Sequence, residues 1–191
     1  MKNFLIGILV IIVLAGFYTF KTYNKLVGLD EGVNGAWAQV ETQYQRRFDL
    51  IPNLVNTVKG YAEHEKETFE SVTQARAQAT QTKVDINDPA SFAAFQESQG
   101  ALSSALSRLM VVAEKYPDLK ANQSFMALQS QLEGTENRIA VERKRFNDTA
   151  KEFNVVIRRF PANTIAGVFG FEKKNYFESA EGAEEAPQVE F

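Results

Sequence analysis

The chain has no cysteine. That excludes a disulfide framework, a lipid-modified cysteine anchor, thiolate metal sites and a cysteine nucleophile. Imidazole is nearly as scarce, with His64 in YAEHEKE the single histidine. Glu63, Glu65 and Glu67 lie beside it, but a di-iron bundle needs a Glu-x-x-His on each of two helices, which one histidine cannot supply. A solvated helix face is the plainer reading of that stretch. No Ser stands in a G-x-S-x-G context, and Gly167, Gly170 and Gly182 form no G-x-G-x-x-G after a strand. No catalytic residue, cofactor or metal is therefore expected. The net charge of −3 is mild, and without a basic stripe nothing argues for nucleic acid. Proline is sparse as well. Between residues 36 and 145 only Pro52, Pro89 and Pro117 interrupt a stretch rich in Gln, Ala and Glu, in which Val and Ile do not alternate. The expected fold class is all-α.

One long hydrophobic run is present. Phe4 to Phe20, FLIGILVIIVLAGFYTF, carries no charge. As a helix rising ~1.5 Å per residue it covers about 26 Å, close to the roughly 30 Å hydrocarbon core of a bilayer. Lys2 precedes it and Lys21 and Lys25 follow. Phe17, Tyr18, Phe20 and Lys21 suit the headgroup boundary. A retained single-pass anchor, in contact with lipid through residues 4–20, is favoured over two rivals. A cleaved signal peptide wants a small-residue cleavage site, whereas bulky aromatics follow Ala15-Gly16. A buried core helix wants more protein around it than this chain offers. Sidedness is close to a tie by the positive-inside rule. A short N-terminal tail that crosses leaves the domain in the cytoplasm; a signal-anchor orientation leaves it outside.

The remainder is sized for one domain. The division expected is tail and anchor over 1–24, a four-helix bundle over 25–160, an ordered Gly/Phe-rich cap over 161–178 and an acidic, disordered tail over 179–191. Leu26, Leu29, Val33, Ala36 and Val40 make the first stripe, continuing from the anchor. In RRFDLIPNLV, Pro52 suits the first turn of a new helix capped by Asp49, so a chain reversal is expected there in preference to a kinked continuous helix. A second stripe then runs from Phe48 to Ala79 at heptad spacing. Asp88-Pro89 signals the start of a third helix, closed by Pro117, and Asn122 or Ser124 caps a fourth that ends at Pro161. Four amphipathic stripes with short links predict an antiparallel up-and-down four-helix bundle.

Polar residues interrupt the apolar seam at Glu65, Arg76, Gln99, Thr135 and Glu142. Three readings stay open: a buried network fixing register, a polar groove for a ligand, or positions that reach water. Glu136 and Arg138 read as surface ion pairs of little energetic weight. Gly134, inside the fourth stripe, marks either a close helix approach or a tolerated surface glycine. If the helices alternate in direction, residue 160 returns to the bilayer. Phe169, Phe171, Tyr176 and Phe177, with Lys173 and Lys174, then either face the headgroups or a neighbouring subunit, or plug the open end of the bundle.

Several segments together carry a family resemblance: LVGLDEGVNGAWAQVETQYQRRFDLIPNLVNTVKGYAEHE, then YPDLKANQSFMALQSQLEGTENRIAVERKRFNDTAKEFNVVIRRFPANTIAGVFGF, then the Tyr176-Phe177 pair. The chain resembles the LemA family of bacterial membrane proteins from its anchor to Phe177. The resemblance implies a membrane-anchored antiparallel bundle in the bacterial cell membrane, with the N-terminus outside and the domain cytoplasmic. It brings no catalytic residues, because the family has no assigned reaction. The function expected is a non-enzymatic scaffold or interaction module, self-associating as a homo-oligomer, with other membrane proteins as further candidate partners. The alternative is a ligand-sensing bundle that uses the polar seam.

Overall fold

The computed structural model describes residues 1–178. The acidic stretch 179–191, expected to be disordered, lies outside the described residues. Among the described residues there are six helices and no strand. The first, α1, runs from Lys2 to Lys59 without a break, so the apolar run and the first bundle helix are one 58-residue rod, and the boundary expected at residues 24–25 falls inside it.

Pro52 lies within α1, and the chain reversal expected there does not occur. A proline inside a helix removes one N–H and leaves the carbonyl four residues earlier without its donor. Here that carbonyl belongs to Phe48, and Arg76 supplies the missing bond, its Nε donating to Phe48 O at 2.9 Å. Asp49, expected as a cap, lies exposed in mid-helix and accepts from Gln45 Nε2 at 2.7 Å. The chain reverses instead after Lys59. Tyr61 N and Ala62 N both donate to Val58 O, and Ala62 is buried at the turn. His64 sits exposed in this turn, not on a helix face. The stripe read as one helix from Phe48 to Ala79 is therefore divided. Its first part completes α1, and its second is α2, Lys66–Gln81.

The next starts follow their caps. The Asp88 carboxylate accepts from Ala90 N and Ser91 N at the head of α3, Pro89–Ala113, with proline at its first position. A single turn, α4 (Pro117–Lys120), leads to Asn122, whose Oδ1 accepts from Phe125 N and caps α5, Gln123–Arg158. A last helix, α6, spans Ala162–Phe169.

α1 lies along α5, and α2 along α3. α1 leads away from the apolar end, α2 returns, α3 leads away and α5 returns, the expected antiparallel four-helix order with its first reversal moved. At ~1.5 Å per residue the 16 residues of α2 cover about 24 Å and the 36 of α5 about 54 Å. The lower part of the α1–α5 pair needs other cover. Residues 171–178 supply it, held to α5 by two asparagines seven positions apart. Asn154 Oδ1 accepts from Lys174 N and its Nδ2 donates to Lys174 O, at 2.8 and 2.9 Å. Asn147 repeats the exchange with Phe177, both bonds at 2.9 Å. Each side-chain amide thus stands in for a partner strand. Phe177 is thereby delivered into an aromatic cluster, its ring centroid 4.9 Å from Phe92, 5.6 Å from Phe146 and 5.9 Å from Trp37. Burying each such ring contributes about 1.5–3 kcal/mol, with geometry-dependent gains on top.

Candidate functional site

Two regions carry the residues singled out by the sequence: the apolar end of the molecule and the polar seam.

At the apolar end, α1 presents apolar side chains to its surroundings on every side. None of its apolar window is buried, and its length and composition suit a membrane crossing. Phe17, Tyr18, Phe20 and Lys21 are all exposed. Just above them α6 packs on α1. Its Ala162, Ile165 and Ala166 are buried, as are Thr22 and Leu26 of α1. The Tyr23 ring lies 4.8 Å from Phe169 and 5.9 Å from Phe171. Gly170 ends α6 in the left-handed region at φ 75°, where a side chain would be strained, and Phe171 N closes onto Ala166 O at 2.9 Å. That turn sends the chain back up the bundle.

The four candidates in this segment therefore part company. Phe169 remains half exposed. Phe171 is half-buried against Tyr23 and Phe153. Tyr176 is half-buried, its OH accepting from Asn154 Nδ2 at 2.8 Å. Phe177 is buried in the aromatic cluster and has no face to offer a bilayer or a second subunit. Lys174 is likewise no headgroup ligand. It is buried, with Nζ 2.7 Å from Asp30 Oδ1, donating to Asn87 Oδ1 at 2.7 Å and lying over the Phe153 ring. Lys173 alone of the pair is exposed. Phe160 and Val168, outside the candidates named from sequence, are both open to the surroundings. The Gly/Phe density of the segment pointed to them, but only the direction of α6 separates outward rings from inward ones.

The five polar seam candidates do not form one network. Glu65 precedes α2 in the turn, half-buried, with no side-chain capping bond. Arg76 serves the Phe48 carbonyl. Thr135 is buried and satisfies itself on its own helix, donating to Gln131 O at 2.7 Å. The Glu142 carboxylate, mostly covered, lies 3.7 Å from Arg145, and among the described residues its Oε2 has no hydrogen-bond partner. Only Gln99 belongs to a cross-helix cluster, whose centre is Arg47 of α1. The Arg47 side chain is 2% exposed. One guanidinium nitrogen donates to Gln99 Oε1, and the other donates to Ser103 Oγ at 3.2 Å and Glu136 Oε1 at 3.0 Å. The guanidinium also lies 5.0 Å from the centre of the Tyr44 ring. Glu136, expected in a weak surface pair, is therefore the counter-ion of a buried arginine on another helix. Arg47 was legible in spacing, since Val40, Tyr44, Arg47 and Ile51 step by four, three and four.

This cluster binds α1, α3 and α5 together, with two groups left over. Arg47 Nε and Gln99 Nε2 are buried without a partner among the described residues. Outside it, a cleft of about 520 Å³ opens between α3 and α5, lined by Ser103, Leu106, Met110, Leu132 and Glu136 among others. Tyr44, beside the Arg47 guanidinium, has its phenol pKa raised by burial, against the opposing pull of Arg143 and Arg47. No group of His, Asp or Glu side chains suited to a metal occurs among the described residues.

Comparison with known proteins places this architecture. Magnetosome protein MamQ 2 of Paramagnetospirillum magneticum is 26% identical over 175 residues, 82% of this chain and 64% of its own length. Magnetosome protein MamQ of Magnetospirillum gryphiswaldense is 26% identical over 174 residues, 81% of this chain and again 64% of its own. The chain thus spans less than two thirds of the length of these curated relatives. Protein LemA of Metamycoplasma hominis is 24% identical over 158 residues, 83% of this chain and 69% of its own. The LemA family model matches residues 36–191, which takes in the bundle from Trp37 inward and the cap with its asparagine clasps. The chain belongs to the LemA family.

Proposed function

We propose that this chain is a single-pass, non-enzymatic interaction protein of the bacterial cell membrane, holding a rigid helical bundle on the bilayer to bind further copies of itself or other membrane proteins. The observation that carries the reading is the unbroken α1. An apolar, uncovered segment and the spine of a packed bundle are a single 58-residue helix, with no linker between them. A linker would let the domain reorient freely, whereas a continuous helix fixes its face and height above the membrane. That geometry suits lateral recognition between membrane neighbours. The orientation proposed is N-terminus outside and bundle in the cytoplasm.

The test is cross-linking in intact membranes. The natural absence of cysteine allows single cysteines to be placed at exposed α3 and α5 positions such as Val111 and Val141. Disulfide-linked or reagent-linked species that depend on position support the reading. A chain that stays monomeric at every position and captures no neighbour sinks it. Protease access to a C-terminal tag, in intact cells against opened membranes, decides the orientation.

A second reading has its own observation. The cleft between α3 and α5 ends on Ser103 and Glu136, both bonded to Arg47, near two buried nitrogens without partners among the described residues. A small polar ligand reaching that floor would find donors waiting, and the chain would then act as a sensor. Thermal-shift screening of the natural chain against Gln99→Leu separates the two. A ligand that raises the melting temperature of the first and not the second supports sensing. If Gln99→Leu merely changes stability and no compound shifts either protein, the sensor reading fails.

A further inference from the structure

We propose that α6 and its flanks form a second, peripheral membrane contact, in which Phe160, Val168 and Phe169 rest in the headgroup layer of the bilayer that α1 crosses, steered there by a basic ring. The inference deepens the proposed function and rests on α1 spanning the membrane. Three independent observations support it.

The first is height. Tyr23 follows Phe20 by three residues, a rise of ~4.5 Å along α1. The ring of Phe169 lies 4.8 Å from that of Tyr23. The headgroup layer of one leaflet is roughly 5–7 Å thick, the difference between the full bilayer and its hydrocarbon core shared over two faces. Phe169 therefore packs against a ring that stands in this layer whenever residues 4–20 fill the core.

The second is exposure. The buried face of α6 is spent on the bundle through Ala162, Ile165 and Ala166. Phe160 is nevertheless 85% exposed, Val168 76% and Phe169 50%. These three flank both ends of α6, on the side left open by its packing. Apolar side chains gathered at one end of a molecule, and contiguous with an anchor, mark a surface with a use. Aromatic rings next to apolar aliphatics suit the interfacial zone of a membrane.

The third is charge. Lys21, Lys25, Arg158 and Arg159 are all exposed around this edge. No Asp or Glu occurs in residues 1–29 or 153–171, the two segments that build it. The next acid along α1, Asp30, is already engaged by Lys174. Exposed Glu152 and Glu172 border the second segment, so the edge carries an excess of positive charge, and that excess, in a chain whose net charge is negative, complements anionic headgroups. A second copy of this chain would bring the same basic edge and repel it, which favours lipid as the occupant.

The contact would fix the rotation of the bundle about α1 as well as its height, because α6 lies to one side of that helix. The experiment is electron paramagnetic resonance on the full chain in phosphatidylcholine vesicles containing phosphatidylglycerol. Spin labels are placed one at a time on Phe160→Cys, Val168→Cys, Val141→Cys and Leu9→Cys. All four side chains are exposed, so folding is preserved. The expected result is loss of collisions with a water-soluble nickel chelate at 160 and 168 relative to 141, with the loss diminished in pure phosphatidylcholine. Nickel access at 160 and 168 equal to that at 141 overturns the contact while leaving the spanning α1 intact, provided position 9 is shielded. Nickel access at position 9 overturns both. Shielding at 160 and 168 with dipolar broadening that vanishes on dilution with unlabelled chain assigns the edge to a second copy and overturns the lipid assignment. Shielding indifferent to phosphatidylglycerol overturns the steering role of the basic ring.

Discussion

Arg76 and Pro52 stand 24 positions apart in sequence, yet the structure makes one the remedy for the other, and a double-mutant cycle isolates that relation. Proline at 52 leaves the Phe48 carbonyl without its helical donor, and Arg76 Nε donates to it from α2 at 2.9 Å. Replacing Arg76 by Met keeps most of the apolar stem and removes the donor. A hydrogen bond to a charged group contributes about 1.5–3 kcal/mol, and loss of the partner leaves a carbonyl inside a helix pair unsatisfied. Arg76 is only half-buried, so water recovers part of the loss. The expected cost is about 1–2 kcal/mol. Pro52→Ala restores an N–H in register with Phe48 O. By itself it should stabilise, because proline in a helix interior costs about 3 kcal/mol against alanine, less what the Arg76 bond already returns.

In the Pro52→Ala background Arg76 is no longer the sole donor, and Arg76→Met should then cost less than about 0.5 kcal/mol, a bound set by the tolerance for additivity between independent sites. The coupling energy, about 1 kcal/mol, lies above that tolerance. The assay is urea unfolding of the full chain in detergent micelles, followed by circular dichroism at fixed detergent-to-protein ratio, with equal slopes required across the four proteins. If Arg76→Met costs the same with proline and with alanine at 52, the donor has no relation to the proline, and the account of why α1 continues through Pro52 is wrong.

Three further outcomes follow from the packing. Phe177→Ala removes a buried ring from among Trp37, Phe92 and Phe146 and should cost about 3–5 kcal/mol by the same urea assay, with residues 171–178 becoming open to proteolysis; a cost near zero would place the segment outside the core. Gly134→Ala should stabilise by about 0.5–1 kcal/mol, since an added Cβ meets nothing within 4 Å and the helix interior gains propensity; destabilisation would reveal a neighbour packed on that face. Tyr44 holds its proton more tightly folded than unfolded, so its contribution is fully present below the unfolded pKa of 10.0 and is lost as pH rises from there through the raised folded value. The melting temperature of the natural chain should therefore fall more steeply above pH 10 than that of Tyr44→Phe, and parallel curves for the two would refute the assignment.

Fold class, helix order and most starts were legible because each rests on local chemistry. Asp88-Pro89 and Asn122 cap where the rules of capping place them, and the apolar stripes step at three and four residues. What local chemistry could not fix was the choice between two competing breaks, Pro52 and Gly60–Glu65. Proline carries the stronger local signal, but its cost is one unmet carbonyl, and a side chain on the next helix met it. The polar seam failed to read through for the same reason. A heptad step shows that a polar residue faces the core and is silent on what it meets there. Gln99 found Arg47, Thr135 found its own backbone, and Arg76 found the carbonyl that proline had freed.

The position of the first reversal matters less to function than the number of reversals. Moving it from Pro52 to Gly60–Glu65 lengthens α1 and shortens α2, but three reversals still separate α1 from the end of α5. The chain must come back to the end at which it entered. A truly continuous helix through both sites would have left α6 at the far pole, away from the apolar end of α1. Because Arg76 preserves α1 through Pro52 while the turn after Lys59 preserves the count, α6 instead meets Tyr23 beside the apolar run. The shortness of α2 then leaves the lower half of α1 and α5 uncovered, and the segment after Gly170 climbs into that gap with Lys174 and Phe177. A change that extended α2 toward the apolar end of α1 would therefore compete with the clasped segment for the same groove, and would be expected to release it.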